Sequence, residues 1–245
     1  MKNNYFYAIL LLAFFNYKFL SANELKINST EINVDNNSKT IILKGAVNAV
    51  DEKNNKIFSE FAKYNKKKKI LNTSGKTKII TSEGFILDGQ NITFDNTKKI
   101  ISSNYDSIII DKEGNKIFLE MFNYIIEKNM FFSKGNIKIL DTKNNNYKFS
   151  EIYIDEKKNK IIGSDVKMFL NQEDIKINEK NEPRLFANSI TLTGNQSELS
   201  KGIFTYCKNR ENQACPPWSL QAEKIKHNAS NKTIYYDNAV LKVYD

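Results

Sequence analysis

Few residues of this chain have types and spacing that could support catalysis. The only histidine is His227. It stands in a position that Tyr64, Phe94 and Tyr124 occupy in other units of a sequence repeat, which predicts a core or rim residue and not a catalytic base. No serine or cysteine has a histidine partner by sequence pattern, so none is expected to be an activated nucleophile. We therefore predict no catalytic residues and no enzyme activity.

The two cysteines, Cys207 and Cys215, form the other candidate group. In an exported protein an even number of cysteines favours a disulfide, and a bridge between these two would contribute on the order of 2 to 3 kcal/mol by chain-entropy estimates. A zinc site that adds His227 would need a fourth ligand and lacks the C-x-x-C spacing. We predict a disulfide, no metal site and no cofactor.

Apolar residues return every thirty residues along most of the chain. The first column consists of Ile32, Ala62, Ile92, Phe122 and Ile152, and the second, two positions on, of Val34, Tyr64, Phe94, Tyr124 and Ile154. After a polar stretch at 171–183, Ile190 and Leu192 resume the two columns out of step, and Ile225 belongs to a last unit. One unit alone cannot bury its apolar face, so successive units must stack.

Each unit alternates apolar and polar residues, turns, and alternates again, which predicts two strands and two turns. A column with Gly45, Gly75 and Gly135, and with Tyr105 and Asp165 in the remaining slots, precedes the second alternating run. In the last unit the same slot holds an asparagine, at position 238. Seven stacked strand pairs result.

Two all-β architectures fit such a stack. A β-jellyroll solenoid has two facing sheets with an open apolar groove between them, whereas a closed parallel β-helix has a narrow interior. Bulky aromatic and aliphatic residues fill the second apolar column, and these suit a wide interior. We predict the jellyroll, with unpaired end strands that could add to another chain edge to edge.

The chain is expected to divide into three parts. Residues 1–22 contain Lys2, an apolar run from Tyr5 to Phe15, and a small-residue site at Ser21 and Ala22, which is typical of a secretory signal peptide. An anchor helix is the alternative, but the run is shorter than the roughly 20 residues that span a bilayer. Residues 23–200 hold the jellyroll repeats, and 201–245 hold a segment with both cysteines and the last jellyroll turn.

The positive charge does not indicate a nucleic-acid partner. The net charge of +9 falls to +7 when Lys2 and Lys18 leave with the signal. The remaining lysines are spread among turns, as at Lys66 to Lys69, without a basic helix or stacking motif. Solvated turns are the simplest interpretation, and attraction to an anionic lipid head group or membrane surface is a weaker one.

The last segment carries a resemblance to a known family. The pattern is a cysteine before Pro216, Pro217 and Trp218, followed by Ile225-Lys226-His227 and by Ile234-Tyr235-Tyr236-Asp237-Asn238-Ala239. It resembles the end of the periplasmic domain of the LPS-assembly protein LptD family, also called organic solvent tolerance protein, particularly its alphaproteobacterial form. The upstream repeat is similar to the OstA-type jellyroll shared by several proteins of lipopolysaccharide transport. In the family a large outer-membrane barrel follows, and this sequence ends at Asp245, where the barrel would begin.

The resemblance implies a role in lipopolysaccharide transport and assembly at the outer membrane. The jellyroll would accept lipopolysaccharide in its groove, lined by the column residues, and pass it to the barrel. Implied partners are the periplasmic bridge jellyroll protein, by edge-strand pairing, and the barrel with its plug lipoprotein; the implied location is the periplasm and outer membrane. Family precedent also implies that Cys207 or Cys215 could pair with barrel cysteines. A free-standing periplasmic bridge protein and a secreted structural β-solenoid are the alternatives.

Overall fold

The computed structural model describes residues 25–171, 181–194, 196–207, 217–228, 230–231 and 233–243. The predicted signal peptide at 1–22 lies outside the described residues. The strands are β1 (Lys26–Asn28), β2 (Glu31–Asp35), β3 (Thr40–Val50), β4 (Lys56–Asn65), β5 (Ile70–Ile80), β6 (Ile86–Gln90), β7 (Thr93–Asp95), β8 (Ile100–Ser103), β9 (Ser107–Ile110), β10 (Lys116–Leu119), β11 (Phe122–Ile125), β12 (Met130–Leu140), β13 (Asn146–Asp155), β14 (Lys160–Phe169), β15 (Glu182–Thr193), β16 (Gln196–Cys207), β17 (Trp218–Asn228), β18 (Thr233–Asp237) and β19 (Val240–Val243). A single 3₁₀ turn at Ile126–Lys128 is the only helix in the described part of the chain, and no helix there could span a membrane.

The strands form an up-and-down antiparallel meander. Five neighbouring pairs are collinear halves of one line (β1 with β2, β6 with β7, β8 with β9, β10 with β11, β18 with β19), so the nineteen strands form fourteen strand lines, or seven pairs. Each line pairs with the next in antiparallel register, as β3 does with β4 and β13 with β14. The prediction of an all-β jellyroll of seven strand pairs is confirmed, and the antiparallel pairing excludes the parallel β-helix.

Each line bends near its middle, and the bend explains the glycine column. Gly45, Gly75 and Gly135 have φ of 70°, 75° and 113°, a conformation that costs other L-residues energy. Asp165 and Asn238 hold the same slot with φ of 54° and 52°, and both residue types tolerate the left-handed region better than most. The column thus marks a bend inside every second line and not a separate turn.

The bends fold the sheet into two halves. Half-sheet 1 contains β2, β7, β8, β11, β18 and the matching halves of the long strands, and half-sheet 2 contains β1, β6, β9, β10, β19 and the other halves. Residues of period two face inward on both, for example Ile101, Phe122 and Ile152 on half-sheet 1 and Ile57 and Ile109 on half-sheet 2, and all are buried. The apolar core lies between the halves, because each strand is apolar on one face only.

Candidate lipid-binding interior

The two predicted apolar columns lie on the inner face of half-sheet 1. The following predicted groove residues are at most 1% exposed: Ile92, Phe94, Phe122, Tyr124, Ile152, Ile154, Ile190 and Ile225. Tyr64 and Leu192 are partly buried and pack against the same core. These residues share the inner face of the sheet, including the two that resume the columns after the polar stretch, and their role in lining a lipid path stays a prediction.

Ile32 and Val34 lie on the same face but at the edge of the sheet. Ile32 pairs with Leu43, which is buried on the inner face, so its orientation matches the prediction. Its side chain is nevertheless 53% exposed, and that of Val34 is 54% exposed. The reason is that, among the described strands, β2 has a neighbour on one side only.

Side chains fill the central part of the interior. The ring of Phe131 lies 4.4 Å from the Tyr124 ring, 6.1 Å from that of Phe122 and 6.4 Å from that of Phe85, measured between centroids. Phe85 follows a turn of half-sheet 2 and the other three residues belong to half-sheet 1, so this cluster joins the two halves. The predicted groove is therefore packed at its centre, and an acyl chain could enter only by displacing these rings or separating the halves.

The apolar face reaches the last edge of the sheet as well. Ile234 on β18 pairs with His227, and Leu241 and Val243 on β19 pair with Leu220 and Trp218. All three apolar side chains are exposed, Val243 the most at 74%. Apolar inner positions are thus uncovered at both described edges.

Opposite the bends, the turns of the two halves meet along a line that we call the seam. Five contacts cross it: Lys99 to Glu52 (3.0 Å), Lys53 Nζ to the Ile126 carbonyl (2.8 Å), Asn129 Nδ2 to Ser82 Oγ (3.3 Å), Thr81 Oγ1 to Glu156 Oε1 (2.8 Å) and Asn159 Nδ2 to Glu113 Oε1 (2.6 Å). These polar contacts hold the long side of the interior closed in its central part.

Glu156 is the most unusual member of the seam because its carboxylate is fully buried. Tyr124 donates its hydroxyl to Oε2 at 2.7 Å and Thr81 donates to Oε1 at 2.8 Å. Burial raises the pKa of Glu156 to about 7; the two hydrogen bonds and Lys112 oppose this rise, and the charge of Glu83 adds to it. The same burial and the Glu156 charge raise the pKa of Tyr124. The carboxyl can therefore change charge near neutral pH.

The polar stretch Asp155-Glu156-Lys157-Lys158 predicts a solvated turn, and the burial of Glu156 corrects that prediction. A signal was available, because thirty residues earlier the equivalent position is Ile126, and sixty residues earlier it is Asn96. Both of these side chains are buried too. An apolar residue inside an otherwise polar turn indicated that this position faces inward.

Toward the end of the chain the seam widens into a cavity of about 330 Å³. Its wall includes Tyr147, Ile161, Leu192 and His227. His227 is half-buried, and burial, followed by the charge of Lys143, lowers its pKa. This position, beside the core and open to a cavity, corresponds to the predicted core or rim residue.

Cys207 is a buried free thiol at the end of β16. Arg184 donates to its Sγ at 3.0 Å, and the Thr205 hydroxyl lies 3.6 Å from the same sulfur. Cys215 lies outside the described residues, so the disulfide stays a prediction.

Comparison with known proteins finds similarity among solved structures. No family model matches the chain, and no curated protein does. The chain is similar to LptH, described as the LptA homologous periplasmic component of the conserved lipopolysaccharide transport device from Pseudomonas aeruginosa, with a TM-score of 0.26 and 11% sequence identity. That match covers 58% of this chain and 82% of the other.

Proposed function

We propose that this chain takes part in lipopolysaccharide transport, as a periplasmic jellyroll that accepts the acyl chains between its half-sheets and passes the lipid on to an outer-membrane barrel. One observation carries the proposal. The apolar inner face runs across all fourteen strand lines and stays uncovered at both described edges, where Val34 and Val243 are exposed. A path that continues into neighbouring proteins needs such edges, and a closed domain would cover them.

The free-energy cost of exposing acyl chains to water explains why transport would need an apolar interior. An acyl chain exposed to water costs about 0.8 kcal/mol for each methylene, so a lipid with several chains needs an apolar escort. A repeat places similar apolar positions along the path, such as Phe94, Tyr124 and Ile154, and movement between them then changes the free energy little. The lipid would enter from an edge or through the seam. The rings of the aromatic cluster around Phe131 would then have to move aside.

The resemblance of residues 202–244 to the LptD family favours transfer to a barrel over a free-standing bridge role. In either role, β2 or the line of β18 and β19 would add to an edge strand of the periplasmic bridge jellyroll protein. The barrel and its plug lipoprotein are partners in the first role only.

A structural β-solenoid without a lipid path is the second candidate. The packed centre favours it, because Phe122, Tyr124 and Phe131 leave no open slot between them. A structural role does not explain why the apolar inner face of the sheet is uncovered at both described edges.

Photo-crosslinking in cells separates the two candidates. A photoreactive amino acid at Phe94 or Ile154 would face the interior, and one at the adjacent Thr93 or Tyr153 would face outward on the same strand. We expect lipopolysaccharide to be captured from the inner positions and not from the outer ones. Equal capture from each adjacent pair, or no capture at any position in folded protein, would refute the lipid path.

A further inference from the structure

The outer face of half-sheet 2 carries a row of side chains that the interior does not use. Backbone register places one residue from each of six successive strand lines side by side, in the order Phe118, Lys138, Lys148, Lys167, Phe186 and Ile203. We call this set the outer row. Its members point away from the core, because their neighbours Ile139, Phe149 and Val166 are buried on the inner face.

The three central lysines are directly opposite one another on adjacent strands, and all three are exposed. Like charges in this position repel and destabilise a sheet. The ion pairs between described residues involve other lysines, such as Lys99 and Lys224. Within the described part of the chain, Lys138, Lys148 and Lys167 therefore form no ion pair, and the carboxylates of the next row toward the bends, Glu120 and Asp165, accept hydrogen bonds from Asn136 and Ser150.

The next outer row toward the seam adds no negative charge. It consists of Lys116, Leu140, Asn146, Phe169 and Arg184. None of the five is a carboxylate, and the exposed Lys116 widens the cationic patch beyond the three lysines, whereas the Arg184 guanidinium is directed at the buried Cys207.

Apolar side chains flank the lysines on both sides. Phe118 and Phe186 are half-buried and Ile203 is 36% exposed. The ammonium groups stay close to rings, since Lys138 Nζ lies 5.8 Å from the Phe118 centroid and Lys148 Nζ lies 5.8 Å from that of Phe169. The cationic part of the face ends at Phe118, because the cavity of about 1030 Å³ beyond it has Glu60, Asp88, Asp106 and Glu120 in its wall as well as Phe58 and Ile108.

The matching outer row of half-sheet 1 has a different character. Across the same six strand lines it reads Asn123, Phe132, Tyr153, Ile162, Thr191 and Glu198, which includes aromatic and aliphatic side chains but no cation and one carboxylate. Across these strand lines, the row of three adjacent lysines is thus specific to half-sheet 2.

We propose that the outer row of half-sheet 2 docks the protein on an anionic lipid bilayer surface. Lysines attract the phosphates of anionic lipids, and aromatic and aliphatic side chains beside them settle at the head-group boundary. The sheet presents both on one face that spans six strand lines, or about 24 Å at the usual strand spacing. This surface is separate from the interior, so the proposal goes beyond lipid transport and does not depend on it.

The test measures how tightly the chain binds to lipid vesicles. It uses residues 23 onward, which contain every described strand. Vesicles of phosphatidylcholine with phosphatidylglycerol are compared with vesicles of phosphatidylcholine alone by co-sedimentation at about 0.1 M salt, where charges act over about 10 Å. We expect binding to the anionic vesicles only. Each lysine near an anionic surface contributes about fivefold to affinity, so K138Q/K148Q/K167Q should bind about a hundredfold more weakly, and K148Q alone about fivefold.

The matched control is K66Q/K67Q/K68Q, which removes the same charge from the densest lysine turn in the sequence. This variant should retain its affinity within about twofold. No variant should melt below the parent chain, because the substituted side chains are exposed and the loss of facing lysine charges relieves repulsion. Equal loss in the control would show that net charge alone attracts the vesicles and would overturn the proposal. Absence of vesicle binding would overturn it as well, and so would binding to soluble polyphosphate without binding to vesicles.

Discussion

At the scale of single residues, Glu156 couples the seam to pH. It is a fully buried carboxyl between Thr81 of one half-sheet and Tyr124 of the other. Ionisation inside the protein is costly because water is excluded, and this cost appears as a pKa of about 7 in place of 4.5. The seam is therefore expected to be tighter in mildly acidic solution than in alkaline solution.

We predict that Glu156→Gln removes this dependence. A raised folded-state pKa means that the folded protein binds its proton more tightly than the unfolded chain between about pH 4.5 and 7, so stability is fully present below this window and is lost as pH rises through it. The carboxyl should cost up to about 3 kcal/mol of unfolding free energy at pH 8. Urea unfolding should find the variant more stable than the wild type at pH 8 and nearly equal to it at pH 4.5. An exposed-site control, Glu60→Gln, should follow the wild type, and the same pH profile in Glu156→Gln as in the wild type would contradict the prediction.

At the scale of elements, the strand lines fit together by pairing large residues with small ones. Gly163 on β14 lies inward and next to Phe149, and a Cβ added to it would lie 2.4 Å from the Phe149 ring. Gly202 has the same relation to Ile225, again at 2.4 Å. The glycines let neighbouring strands bring bulky side chains over the backbone.

We predict that Gly163→Ala destabilises the protein by about 1 to 3 kcal/mol, since the added methyl overpacks a filled core. Ser164→Ala, one position along and outward, should change stability by less than about 0.5 kcal/mol. Thermal unfolding followed by circular dichroism measures both. Equal melting temperatures for the two variants would mean that Phe149 moves aside freely and that the core is looser than its burial indicates.

At the scale of the whole molecule, the uncovered edges matter most. β2 presents Ile32 and Val34, and the last line presents Ile234, Leu241 and Val243, all exposed. Natural sheets usually protect such edges with charges or bulges, because they pair readily with other chains. An edge with an exposed apolar inner face is suited to a partner that continues both the sheet and its core.

We predict that Val34→Lys prevents addition of the neighbouring jellyroll protein while leaving the fold intact. The side chain is more than half exposed, so unfolding free energy should change by less than about 0.5 kcal/mol. Asn33→Lys places the same charge on the outer face of the same strand and should retain the partner in a pull-down from cell envelopes. Loss of the partner in both variants would show that the edge is not recognised through its apolar face.

Much of the fold followed from the sequence because strand side chains alternate strictly and the repeat imposes one phase on the first five units. Phe94, Tyr124 and Ile154 were assigned to one inner face from spacing alone, and all three are buried there. The glycine column was also visible, although its meaning was not: whether a Gly slot turns the chain or bends a continuing strand depends on what the neighbouring lines do.

The sequence by itself determined the all-β class, the seven strand pairs and the shared face of the column residues, since these depend on local alternation. Only the tertiary structure decided that the two halves close at the seam, that Glu156 is buried there, and that aromatic rings fill the centre. It also decided that Lys138, Lys148 and Lys167 align, although ten and nineteen residues separate them along the chain. The physical reason is that cross-strand register and the approach of distant turns depend on hairpin and bend geometry, which couples residues far apart in sequence and leaves no period to detect.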